Sequence, residues 1–98
     1  MNFNLRQRVG ELKEEEETER DIGKRQGYED ILREDWFPWV GSTERLIALL
    51  GGKKKNYKEK IEETDIEKRR ERYKGRIEAM EEYQEHLRDE LERCRGRI

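Results

Sequence analysis

From Tyr73 to Ile98 the sequence repeats one interval: Tyr73, Ile77, Met80, Gln84, Leu87, Leu91, Cys94 and Ile98 step by 4, 3, 4, 3, 4, 3 and 4 residues. That alternation places all eight on one face of a helix, at the d and a positions of a heptad, and such a face has to lie against another helix. Projected backwards, the stripe takes in Arg70 and Ile66, so it weakens toward the middle of the chain. Gln84 is its polar member, there either to fix register or merely tolerated. The remaining sequence agrees with helix: it has one proline and 49% charged residues, with little of the Gly, Asn and Thr punctuation of hairpins. We therefore expect an all-α chain. With only 31% hydrophobic residues in a length of 98, its core is expected to be completed by a second copy, which makes a homo-oligomer.

Ahead of the heptads, residues 1–52 read as a helical oligomerisation region. A long charged helix is expected from Asn2 to about Trp36. Its apolar face is broken, because Phe3, Leu5, Val9 and Leu12 are followed by "KEEEETERD" before Ile22, Tyr28, Ile31, Leu32 and Trp36 resume at helical spacing. Gly23 and Gly27 each weaken such a helix by about 1 kcal/mol relative to alanine. Pro38 ends it, since proline disfavours helical geometry at the residue before it and lacks a backbone donor. Ser42 is a good N-cap for a short apolar helix from Thr43 to Leu50, and Gly51 and Gly52 are expected to stop that helix. Both tryptophans and the densest apolar run lie in this corner, residues 36–50. The expected oligomer contacts are Trp36, Phe37, Pro38, Trp39, Val40, Leu46, Ile47, Leu49 and Leu50, joined by Ile77, Met80, Gln84, Leu87 and Leu91 of a coiled-coil helix over 77–98.

The net charge of −2 conceals three blocks. Residues 1–52 hold 8 basic and 12 acidic side chains, residues 53–76 hold 11 and 6, and residues 77–98 hold 4 and 7. The middle block is thus a basic island between acidic flanks. Its cations, Lys53, Lys54, Lys55, Lys58, Lys60, Lys68, Arg69, Arg70, Arg72, Lys74 and Arg76, suit phosphate, and Tyr57 and Tyr73 suit stacking on unpaired bases. The six interleaved carboxylates suit a different reading, a helix surface of ordinary salt bridges.

Chemistry at a reactive centre is not expected. His86 falls at a c position away from the seam, with no partner in ligand spacing, and reads as a solvated residue. Cys94, the single cysteine, falls in the seam and reads as a small core residue. No phosphate loop, nucleophile elbow or metal cluster is present in the sequence, so neither enzymatic activity nor a cofactor is expected. The amino terminus turns acidic where a secretory signal needs an apolar stretch, and no apolar run approaches the roughly 18 residues of a membrane span. An intracellular protein, neither secreted nor membrane-bound, is the expectation.

The corner carries a resemblance. "ED" at 34–35, then "PWVG" at 38–41, then "LIALLGGKKK" at 46–55 is similar to the delta antigens, the RNA-binding nucleoproteins of hepatitis delta virus and its animal relatives. In that family a long charged helix ends before Pro-Trp-Leu-Gly, and a short apolar helix, glycine and lysines follow. "ERDI" at 19–22 resembles the family's Glu-Arg-Asp-Leu, with one residue inserted in this chain between the two motifs. The likeness covers about residues 8–55. It implies that the long helix pairs antiparallel with that of a second chain, that the corner packs on the partner, and that dimers join into larger oligomers. It further implies binding of folded, rod-like viral RNA and support of its replication in the host nucleus. "EKRRERYKGR", Glu67 to Arg76, is the nearest match, a loose one, to the family's arginine-rich segments. This chain departs from the family in being slightly acidic and in continuing as heptads where the family has a Pro/Gly-rich tail. Two readings follow: an oligomeric viral nucleoprotein that coats structured genomic RNA, or a coiled-coil adaptor or inhibitor that binds protein and no nucleic acid.

Overall fold

The computed structural model describes residues 4–34 and 43–96. Four helices follow one another, α1 (Leu5–Glu15), α2 (Glu19–Glu34), α3 (Thr43–Glu63) and α4 (Glu67–Gly96), and there is no strand among the described residues. The all-α expectation is met. α4 is the hub: α2 and α3 both pack against it, and α1 packs on α2. Contacts along α2 and α4 rise together, Glu19 with Arg72 and Tyr28 with Glu82, so these helices run parallel. α3 and α4 run antiparallel, since Ile47 meets Gln84 while Tyr57 meets Tyr73.

The expected long first helix is two. Asn4 caps α1 by accepting the Gln7 amide through Oδ1 at 3.1 Å, and Leu5, Val9 and Leu12 bury its apolar stripe. The acidic run gives that stripe nothing further to bury, and the chain leaves helical geometry at Glu16. A reciprocal cap then starts α2. The Asp21 amide donates to Thr18 Oγ1 at 3.2 Å, and the Asp21 carboxylate accepts the Thr18 and Glu17 amides at 3.1 and 3.2 Å. These backbone donors hold the Asp21 carboxyl below its usual range. Arg25 closes the joint, bonding Glu16 at 2.5 Å across the break and Glu29 at 2.6 Å along its own helix.

α2 and α4 meet through glycines. A Cβ on Gly23 would collide with the Arg72 backbone carbonyl, and one on Gly75 with the Arg20 carbonyl. One on Gly27 would lie 2.7 Å from the Ala79 Cβ and 2.9 Å from the Arg76 Cα. Only glycine allows this backbone approach. The residues that looked like helix weaknesses are the contact surface itself. Beside them Tyr28 and Ile31 are fully buried, and the Tyr28 hydroxyl donates to Glu82 Oε1 at 3.0 Å. Burial, and then the nearby Glu82 charge, push the Tyr28 phenol well above its ordinary value, so it stays a donor. Lys24 and Arg8 converge on the same carboxylate, Arg8 at 3.7 Å.

α3 does not stop at Gly51–Gly52. It continues to Glu63 because packing outweighs the glycine penalty: Leu46 and Leu50 are buried against the common core, and Gln84 Nε2 donates to the Ile47 carbonyl at 2.8 Å. The helix ends instead at Thr64–Ile66, where Arg70 Nε donates to the Thr64 carbonyl at 2.7 Å.

The heptad stripe is covered from within the chain. Ile77, Met80, Gln84 and Leu87 are buried and Leu91 is half-buried. Met80 and Leu87 join Tyr83, Tyr28, Ile31 and Leu50 in one cluster with the α1 stripe. These seam positions, expected to meet a second chain, are covered by the chain's own α2 and α3. Ile47 is half-buried, and Leu49, 41% exposed, is left open among the described apolar residues of the corner. Trp36, Phe37, Pro38, Trp39 and Val40 lie outside the described residues.

Three outcomes check this architecture. Gly75→Ala should cost about 1–3 kcal/mol in denaturant unfolding by forcing α2 and α4 apart. Gly52→Ala, where a Cβ meets nothing within 4 Å, should stabilise by about 0.5–1 kcal/mol. In an acid titration, the cap bonds accepted by Asp21 are intact above the ordinary carboxylate range and are lost as pH falls through its lowered value. The Glu17 and Thr18 amide resonances should therefore titrate with a midpoint below that of an unstructured aspartate, and a midpoint at or above it removes the cap.

Candidate nucleic-acid interface

The basic island is not a separate piece of structure. It divides between the second half of α3, with Lys53, Lys54, Lys55, Lys58 and Lys60, and the first turns of α4, with Lys68, Arg69, Arg70, Arg72, Lys74 and Arg76. The turn at Thr64–Ile66 folds these halves back on each other. Helical spacing then selects a subset: Arg69, Arg72, Tyr73 and Arg76 share one face of α4, and Lys60 reaches them from α3. With Gln26 of α2 they line a cleft of about 260 Å³. No carboxylate lines it among the described residues.

The other expected phosphate ligands are arranged differently. Arg70 is turned to the Thr64 carbonyl, and Lys74 pairs with Glu71 at 3.4 Å. Lys68 borders a second hollow, about 430 Å³, together with Arg20, Thr18 and the carboxylates Glu19, Glu67 and Glu71, a mixed lining unsuited to an anion. Lys55 and Lys58 are exposed, and Lys53 and Lys54 half-buried, along α3.

Within the cleft the cations differ in how firmly they are held. Arg76 is anchored, its terminal nitrogens donating to the Tyr57 hydroxyl at 3.1 Å and to Gln26 Oε1 at 3.2 Å, with Asp30 Oδ2 3.5 Å away. Its Nε is buried and has no hydrogen-bond partner among the described residues. Arg72 pairs with Glu19 of α2 at 2.5 Å. Lys60 lies over the rings of Tyr57 and Tyr73, 5.7 and 5.9 Å from their centroids. Arg69 is exposed.

The tyrosines expected to receive bases instead stack on each other, centroids 5.7 Å apart with 27° between ring planes, and Arg76 covers Tyr57 at 5.5 Å. Tyr57 therefore serves the site by positioning: its hydroxyl accepts from Arg76 and donates to Asp30 at 3.3 Å. Gln26 and Asp30 were not singled out in the sequence. Their i, i+4 spacing on α2 was visible, but the helix they would face was not.

His86 is not a solvated residue. It stacks on Tyr83 with centroids 5.9 Å apart and approaches Glu90 at 3.2 Å. Among the described residues no group of three or more His, Cys, Asp or Glu could hold a metal ion, and no helix is long and apolar enough to cross a membrane.

Removing the Tyr57 hydroxyl unties Arg76 from one of its anchors and leaves Asp30 with Arg76 and Arg33. Tyr57→Phe should cost about 1 kcal/mol in chemical denaturation; no change would mean the hydroxyl does not hold the arginine. Compared with known protein families, curated proteins and solved structures, the chain matches none.

Proposed function

We propose that this chain is a self-assembling RNA-binding nucleoprotein of the delta-antigen type, which coats structured genomic RNA and supports its replication. The observation that carries the reading is the convergence of Lys60, Arg69, Arg72 and Arg76, from two helices, on one cleft without a lining carboxylate. Lys55 and Lys58 add two further exposed cations along α3. RNA helices are held by protein mostly through phosphates and 2′-hydroxyls, which requires a cationic surface of this kind rather than a reading helix. Assembly belongs to the same proposal. Leu49 is exposed on the first turns of α3, a few residues after the Trp36–Val40 stretch that resembles the family's assembly corner. A nuclear location rests on the resemblance alone.

One observation favours the second reading, a helical adaptor without nucleic acid. Arg70, Arg72, Lys74 and Arg76 all have partners within the chain, as solvated or structural charges do.

A salt series decides between them. Binding of a structured RNA, followed by fluorescence anisotropy between 50 and 200 mM salt, should weaken steeply, with a log–log slope set by the number of phosphates neutralised. The double variant Arg69→Gln, Arg72→Gln should lower that slope by about two and weaken binding to all structured sequences alike. Salt-independent binding, or none, would leave the adaptor.

A further inference from the structure

We propose that the cleft bounded by Gln26, Lys60, Arg69, Arg72, Tyr73 and Arg76 is a defined site for one phosphate group, not merely a part of a diffuse basic surface. The proposal refines the RNA-binding reading above, but it stands on the cleft's own geometry and is tested apart from it. At about 260 Å³ the cleft is smaller than pockets that enclose a drug-sized ligand. It suits a tetrahedral anion with the first atoms of its carrier.

The donors are of the right kinds. Arg69 offers a planar fork that matches phosphate oxygens in pairs, Arg72 and Arg76 add guanidinium donors partly engaged by Glu19, Tyr57 and Gln26, and the Lys60 ammonium adds a point charge. Their preorganisation is unequal, which is what a site needs. Arg76 is fixed by Tyr57, Gln26 and Asp30 and keeps a buried Nε–H with no partner among the described residues; such a donor of a charged group is costly, and a bound anion nearby offsets that cost. Lys60 is steadied over two tyrosine rings. The exposed Arg69 guanidinium makes no hydrogen bond or ion pair to another described residue, so its fork is available to an incoming oxygen. Asp30 and Glu19, the carboxylates that balance Arg76 and Arg72, pair from α2 without lining the cleft. Two of the four positive charges are therefore left uncompensated.

Phosphate of this kind has two sources, the backbone of an RNA strand and a free phosphomonoester such as a mononucleotide. The two are separated by ¹H–¹⁵N NMR on the full chain at constant ionic strength, with inorganic phosphate, adenosine 5′-monophosphate, adenosine and a structured RNA as probes. Inorganic phosphate and the monophosphate should shift the Gln26 side-chain amide and the Arg69, Arg72 and Arg76 Nε–H signals along saturating curves, and adenosine should not. Arg69→Gln should weaken phosphate about tenfold, while Arg88→Gln, an exposed position further along α4, leaves it unchanged. If RNA moves the same signals, the site holds strand phosphate; if RNA moves none of them while the monophosphate saturates, the site is for a free phosphomonoester, and the RNA reading falls with it only when RNA binds nowhere on the chain. Shifts that grow linearly with anion, that chloride reproduces, or that survive Arg69→Gln would overturn the site even if RNA still binds in a salt-dependent way.

Discussion

The close approach of α2 to α4 at Gly23 and Gly75 governs the rest of the fold. With a side chain at either position the two backbones would be pushed apart, and Tyr28 and Ile31 could no longer reach the bottom of the cluster shared with Met80 and Leu50. Parallel helices in contact at backbone distance leave no room for slippage along their axes. That fixes Tyr28 opposite Glu82, Arg20 opposite Glu78 and Arg76 opposite Asp30 and Gln26. The cleft thus inherits its third wall from a glycine contact that does not touch it.

Charge has a secondary part in holding this chain together, in spite of its abundance. Arg20 grips Glu78 through two bonds, at 2.9 and 3.1 Å, but both side chains are about half exposed and such pairs contribute on the order of 0–1 kcal/mol. Burying one leucine or isoleucine contributes about 1.5–3 kcal/mol. The core is small, yet it draws on all four helices, and the ion pairs decide register around it more than they decide stability. Gln84 shows the same division of labour: 2% exposed, it gives one hydrogen bond to the Ile47 carbonyl, and its own oxygen has no partner among the described residues. This is a feature of alignment, since an apolar residue of the same shape would avoid that cost.

The helical class and the α4 stripe were legible in the sequence because period and composition are local properties. Ile77, Met80, Gln84 and Leu87 could be picked out as one face, but nothing in a period says which surface covers it. A second copy and the chain's own helices leave the same pattern. Gly51 and Gly52 were read as a stop because glycine lowers helix propensity; the tertiary contacts of Leu50 and Gln84 reversed that local preference. Gly23 and Gly27 were read as flaws for the same reason. The cap formed by Thr18 and Asp21 was present in the sequence as a short polar pair, hidden in an acidic run where every residue resembles its neighbours. In the basic island the residue types were legible, while their convergence was not, since the cleft depends on Gln26, fifty residues before Arg76.

The parallel pairing of α2 with α4 also orders events during synthesis. Arg20 and Glu78 are 58 positions apart, so α2 leaves the ribosome well before its main partner, and at about 5–20 residues per second the delay is roughly 3–12 s. α1 can shield part of α2 at once, being its sequence neighbour. The glycine face of α2 has no such companion until α4 arrives, whereas α3 and α4, joined by a turn at Thr64–Ile66, can close on each other as soon as both emerge. The contact that sets the alignment of the others therefore cannot begin to form until about three quarters of the chain has been made.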